Sequence, residues 1–578
     1  MTKILMTALL LTQVLPTGYW PLEKSQPLIE KTQTITLSPD LSQLSDGERK
    51  AVAKLIEVGQ IFQKLYEEQR HPEALSSYRA LVQLDKSTGS KPETQNLLTL
   101  YRLFQGPIAT TLDNQREAFL PVEPTKPGKN VYPWGITKER VDQKQADLLD
   151  LRTVVRGAAS LPKDIETLKK YPALQTLHPK LLGELTRPRP QVAGLLYAVP
   201  YSVAYADDLM KAYGLLRDAA DDVEKDDEEF ARYLRNRARD LLSNDYESGD
   251  ASWVTGRFKN LNAQIGSYET YDDELFGVKT FFSFCLLLSR QQETTALRQA
   301  MKGIQALEDS LPYKNHKKIR EDIPVGVYDV VADFGQSRGG NTATILPNES
   351  YLGRRYGRTI LLRANIMRDT SIFEGTSRTF AAAVGEEQAK ALTPDGNFYR
   401  TLWHEVGHYL GVDRTADGRE LDEALQDNAN TMEEMKADLV SLFVAQALHK
   451  QGYYTDAQLK SVYSGGILRV LQNNRPRRDQ PYNTMQLMQW NFYLENGLLS
   501  FDPATKTLRI NYDKYHEVIG KMLEKTLAVQ YAGDKAESDK FIDQYTKWDD
   551  NLHGVIAANI RAQQRYRFRV FKYSALGE

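Results

Sequence analysis

Two histidines four residues apart bracket a glutamate in the run His404-Glu405-Val406-Gly407-His408. On a helix, residues at this spacing share a face, so both imidazoles can reach one ion. Zinc accepts imidazole nitrogen at about 2.0–2.1 Å, and a catalytic zinc site uses three protein ligands with a further position open to water. Glu405 lies between the two ligands in sequence and is placed to serve as the general base toward that water. The flanking residues read as a helix, with Phe398, Leu402, Val406 and Leu410 forming an apolar stripe, Asp395 a candidate N-cap and Gly411 a candidate end. The chain contains only eight histidines. This motif would arise by chance in on the order of one such sequence in a hundred.

A third ligand is available downstream. Glu433-Glu434-Met435-Lys436-Ala437-Asp438 opens a second helical pattern with apolar positions Met435, Leu439, Leu442, Phe443 and Ala447. Glu434 is read as the third metal ligand. Asp438, one turn later on the same face, is placed to accept the outer N–H of a ligating histidine and so fix its tautomer. A competing reading exists, because Thr431-x-x-Glu434 also fits a capping box in which Glu434 bonds the backbone of Thr431. The upstream histidine pair favours the ligand role, and the expectation is one zinc ion per chain.

The elements that must position these residues belong to a chain of 578 residues, too long for one ordinary core, so two or more lobes are expected. With 74 basic and 76 acidic residues the charge is balanced, which gives no reason to expect nucleic acid or an anionic membrane surface as partner. The single cysteine, Cys285, lies in the apolar run Phe281 to Leu288. It excludes an intrachain disulfide and a cysteine-built zinc site, and reads as a buried small hydrophobe. A lysine followed by the apolar stretch Ile4 to Leu15 suits a secretory signal over 1–18, pointing to a periplasmic or secreted protein, with a cytoplasmic one as the alternative. That stretch is too short to span a bilayer, and no later segment looks transmembrane. Residues 19–44 read as a polar tether. Helical spacing begins at Ser45 (Val52, Leu55, Ile56, Ile61, Phe62, Leu65) and returns from Ser202 to Leu242, whereas 325–331 and 358–363 are β-rich and separated by Gly339, Gly340 and a turn near Pro347-Asn348.

With these motifs in place, the sequence resembles the dipeptidyl-peptidase III family, including its bacterial and Nudix-fused relatives. The family's H-E-x-x-G-H or H-E-x-x-H motif is followed by E-E-x-x-A-E or E-E-x-K-A-D, which stand here as His404 to His408 and Glu433 to Asp438. The match implies Glu434 as ligand, with Glu433 and Asp438 supporting the ligands. Ile265 to Lys279 resembles the family's I-G-x-x-E-x-Y-x-D-x-F-G segment, which implies that Glu269 binds the substrate's N-terminal amine and Tyr271 stabilises the oxyanion. Leu346-Pro347-Asn348 resembles its L-P-N loop, which implies that Asn348 holds the substrate backbone. Two positions depart from the family. Ile345 stands where a second asparagine is usual, and Met485 to Asn491 resembles the surroundings of a late histidine but contains none.

The expected fold is α+β and mainly helical, with a helical zinc lobe and a second lobe containing a small β-barrel or sheet. The expected divisions are an N-terminal lobe over 45–330 with cleft segment 265–279, a β-rich substrate-loop segment over 331–373, the zinc-binding lobe over 374–536 and a helical tail over 537–578. The expected activity is zinc-dependent hydrolysis of peptide bonds in short peptides by an exopeptidase, in which Glu405 accepts a proton from water and delivers it to the leaving amine. The alternatives are a zinc-containing peptide-binding protein with little turnover, and a zinc hydrolase of a non-peptide amide. Nothing in the pattern specifies an oligomeric state.

Overall fold

The computed structural model describes residues 15–141, 146–187, 195–320, 323–472 and 480–578. Residues 1–14 of the expected signal lie outside the described residues. No described helix is long and apolar enough to cross a membrane.

The stretch 19–44 is not a tether. It forms helix α1 (Leu22–Glu30) and strand β1 (Thr32–Leu37). Trp20 and Leu28 are buried in a small core of their own, while Ile35 and Leu37 enter the larger core beside the central sheet. Next comes α2 (Asp46–Arg70), opened by a capping box between Ser45 and Glu48. Its stripe of Val52, Leu55, Phe62 and Leu65 is buried against that sheet core, as the helical spacing anticipates. Helix α3 (Ala206–Val223) packs beside it, and α4 (Glu228–Ser243) packs on α3.

The central sheet has five strands: β2 (Leu261–Ser267), β3 (Phe282–Ser289), β4 (Val325–Gly335), β5 (Ala343–Leu346) and β6 (Thr359–Arg363). Their order is β2-β3-β4-β6-β5, antiparallel except for the parallel pair β4 and β6. It is an open sheet rather than a closed barrel, and it draws strands from well before residue 331. The apolar run around Cys285 is β3, a central strand whose side chains are buried on both faces, and the cysteine is buried.

The sheet separates two cores. In β6, Leu361 points into the core shared with α2, while Ile360 and Leu362 point into the core of the metal-lobe helices. This is the two-residue alternation of a strand with both faces covered. The second core is built mainly by α5 (Pro394–Gly407), α6 (Ala429–Lys450), α7 (Asp456–Val470), α8 (Pro481–Glu495) and α9 (Tyr515–Ala532). The C-terminal segment, expected as a helical tail, carries helices but ends in strand β7 (Phe568–Tyr573), which pairs in parallel with β1 from the other end of the chain. Its buried Phe571 and Tyr573 stand beside Ile35 and Leu37 of β1 on one face, within the same core.

Candidate active site

The histidine helix α5 begins with Pro394 in its first turn and has Thr393, not Asp395, as its N-cap. Asp395 instead pairs with Arg368 at 2.6 Å. The helix ends at Gly407, and Gly411, with φ +78°, lies in the turn that follows. Gly407 is required by close packing. A Cβ there would lie 2.8 Å from the Ala437 carbonyl oxygen, so only glycine lets α5 and α6 approach this closely.

That approach brings the predicted ligands together. Ligand atoms of His404, His408 and Glu434 lie within 4.8 Å of one another. Glu434 Oε2 stands 3.3 Å from His404 Nε2 and 3.9 Å from His408 Nε2. It is buried and lacks a well-directed hydrogen-bond donor. A buried carboxylate oxygen between two imidazole nitrogens calls for a cation, so the donor set fits a divalent metal of the zinc type. The capping-box reading fails, because α6 already begins at Ala429 and Thr431 lies inside it.

Each histidine is held from its outer side. His404 Nδ1 is 2.7 Å from Asp438 Oδ1, and His408 Nδ1 is 2.9 Å from Glu433 Oε1. Both rings are thereby fixed with Nε2 toward Glu434. Burial opposes charge on His404, but Asp438, Glu434 and Glu405 outweigh it and push its pKa up to about 9. The pocket therefore favours positive charge. For Glu433, burial is outweighed by Lys436 and His408, which hold its carboxyl at about 2. Arg400 donates to Asp438 at 2.9 Å, and Arg469 approaches the other oxygen at 3.4 Å. Glu405 is half-buried, and no hydrogen bond or ion pair ties down its carboxylate among the described residues.

Three contributors were not read from the sequence. Lys436, almost wholly buried, donates to the Gly407 carbonyl at 3.1 Å and the Leu410 carbonyl at 2.8 Å, and pairs with Glu433 at 2.8 Å. It caps the end of the histidine helix and steadies the carboxylate that holds His408. Arg400 lies one turn before His404, a spacing that places both on one face and could have flagged it. Tyr482, at the start of α8, has its hydroxyl against Glu434, and the Arg469 guanidinium lies 4.8 Å from its ring centre.

The residues expected to contact substrate form a separate edge. Asn348 Nδ2 donates to the Tyr268 carbonyl at 3.3 Å, which ties the loop after β5 to the segment that carries Glu269 and Tyr271. Tyr271 is 79% exposed, and its hydroxyl bonds Glu269. The turn beyond it is anchored by buried Asp273, which accepts from the backbone N–H groups of Leu275, Phe276, Val278 and Lys279. Asp272 accepts from Tyr66 at 2.9 Å. A relay leads to the metal lobe, in which Tyr409 donates to the Arg358 carbonyl at 3.4 Å and Arg358 donates to the Pro347 carbonyl at 3.1 Å. Among the described residues, no hydrogen bond or ion pair joins Glu269 or Tyr271 to the metal ligands. Ile345 pairs with Ile360 in the sheet and packs against the metal-lobe core, which explains an apolar residue there.

Residues 386–477 match the sequence model of a family described as zincin-like metallopeptidases, a span that contains His404, Glu405, His408 and Glu434. The solved structure of dipeptidyl-peptidase III from Caldithrix abyssi superposes with a TM-score of 0.79 at 22% identity, covering 95% of this chain and 99% of that one. The chain has the dipeptidyl-peptidase III fold. A second dipeptidyl-peptidase III, from Corallococcus sp. strain EGB, gives a TM-score of 0.71 at 21% identity, covering 97% of this chain and 98% of that one. In sequence, the chain is 25% identical over 558 residues to Nudix hydrolase 3 of Arabidopsis thaliana, covering 90% of this chain and 70% of the relative. Within the dipeptidyl-peptidase III fold, the matched metallopeptidase segment is the part that holds the candidate metal centre.

Proposed function

We propose that the protein is a zinc-dependent hydrolase of peptide bonds, acting as an exopeptidase on short peptides, with His404, His408 and Glu434 as the metal ligands. The observation that carries this reading is the convergence of the three ligand atoms beside an untied Glu405. Zinc in such a set supplies Lewis acidity, lowering the pKa of a water and polarising a carbonyl. The protein supplies the rest. Asp438 and Glu433 hold the imidazoles in one tautomer and orientation. A carboxylate oxygen of Glu405 accepts the proton of the attacking water and returns it to the leaving nitrogen, a role that requires the free carboxylate found there.

On the opposite edge, Glu269 pairs with the free ammonium of the peptide, Tyr271 donates to the carbonyl oxygen as charge develops on it, and Asn348 holds the substrate backbone. The ammonium clamp is what would make the enzyme an exopeptidase. Peptide digestion followed by mass spectrometry of the products tests the reading. Release of short N-terminal fragments from free peptides but not from N-acetylated ones is expected. Equal cleavage of both would remove the clamp and favour an endopeptidase. Binding of peptides without turnover would point to a peptide-binding protein instead. Export remains part of the proposal, checked by an N-terminus of the native protein near residues 18–26.

A further inference from the structure

Oxyanion stabilisation needs a donor close to the reacting carbonyl, and such a carbonyl must come to rest beside the metal ligands. Tyr271 stands on the separate substrate edge, 79% exposed, with its hydroxyl bonded to Glu269. Tyr482 is placed differently. It begins α8 in the metal lobe itself, it is 39% exposed, and its hydroxyl lies against the ligand Glu434. The Arg469 guanidinium lies 4.8 Å from its ring centre while also reaching Asp438 at 3.4 Å, so the ring is fixed from the network that orients His404. Tyr482 directs a donor toward the metal-ligand cluster from a side that solvent can reach.

We propose that Tyr482 is a second oxyanion donor, a catalytic residue whose hydroxyl hydrogen-bonds the substrate carbonyl oxygen as negative charge builds there, from the metal lobe rather than the opposite edge. Its place against Glu434 puts the donor within reach of any carbonyl oxygen drawn to the ligand cluster. No proton is transferred: the phenol O–H, which rests on Glu434, turns to the carbonyl oxygen while that oxygen carries charge and returns to Glu434 when the carbonyl re-forms. The inference rests on the peptidase reading above and deepens it.

Tyr482→Phe keeps the ring against Arg469, so folding should be unaffected, which an unchanged melting curve would verify. Three quantities then separate the possibilities. At saturating zinc, kcat should fall about 100-fold with KM nearly unchanged, the signature of an interaction made mainly in the transition state. Zinc affinity, measured by competition with a chromogenic chelator, should fall by no more than about 10-fold from loss of the Glu434 contact, a loss that the saturating zinc of the kinetic assay offsets. Binding of a phosphinic peptide, whose tetrahedral anion imitates the developing charge, should weaken about 100-fold by calorimetry, while an uncleaved ground-state peptide should bind as before. Weakened zinc binding with kcat restored by excess zinc would overturn the proposal and leave a positioning role only. Unaltered phosphinic-peptide binding would overturn it outright. A wild-type protein that cleaves no peptide would instead defeat the underlying reading, and the phosphinic-peptide comparison still decides the role of Tyr482.

Discussion

The metal centre and the substrate edge differ in how completely their groups are held. Around His404 and His408, each outer ring nitrogen has its own carboxylate, and Asp438 is met by Arg400 and Arg469 and Glu433 by Lys436, all within two packed helices and their neighbours. On the substrate edge, Tyr271 stands in solvent and the Asn348 contact is long at 3.3 Å. A metal site must be rigid before its ion arrives, because coordination tolerates little misplacement. A substrate edge gains its geometry when the substrate binds, so few internal bonds are expected of it beforehand.

This contrast can be broken by substitution, beginning with the largest effect. His404→Ala, His408→Ala and Glu434→Gln should each lose most bound zinc and all measurable activity, whereas no change on the Glu269–Tyr271 edge should alter metal content, as elemental analysis of purified variants would show. Loss of zinc in Tyr271→Phe would erase the distinction between the regions. Next, Tyr271→Phe should lower kcat by about 100-fold with KM nearly unchanged, read from steady-state kinetics. Asp438→Asn should weaken zinc by about 10–100-fold, because the histidine it orients would lose its fixed tautomer. Glu269→Gln should mainly raise KM, and N-acetylation of the peptide should mimic it in the wild type while adding little in the variant.

How much of this was legible depends on where the signal lies. The ligands are spaced by helical periodicity within two short segments, so their type and register can be read locally. Asp438 follows by the same logic, one turn after Glu434. Lys436 does not, because the carbonyls it caps belong to another helix and no local pattern names them. The two strands around Val327 and Leu361 show in their β-rich runs. The strand at 32–37 does not, since its partner Phe568–Tyr573 comes from the far end of the chain, and polar Thr and Gln alternate there with only two deeply buried residues. Of the expected barrel or sheet, the structure has the sheet: strand content does not specify closure, and here β2 and β5 remain unpaired edges of the central sheet. Asp395 looked like a cap by residue type, yet its carboxylate answers Arg368, a partner the local sequence does not reveal.

A smaller effect concerns pH in the metal-free protein. His404 has its pKa raised to about 9, so its favourable contacts contribute fully below the ordinary histidine value and fade as pH rises through about 9. After chelation, stability attributable to this group should therefore decline between about pH 6.5 and 9, while zinc affinity should rise over the same interval as the competing proton leaves. Thermal melts and chelator competition across that range check both signs, and zinc affinity that falls with rising pH would show that His404 is not a ligand.

The account's central claim is the division of labour between ligands and base, and Glu405→Gln tests it most directly. Metal content and peptide cleavage should be measured on the same preparations of wild type and variant. The expected result is about one zinc per chain in both, with cleavage reduced by about 100- to 10,000-fold in the variant. Parallel loss of zinc and activity, or cleavage at the wild-type rate, would contradict it.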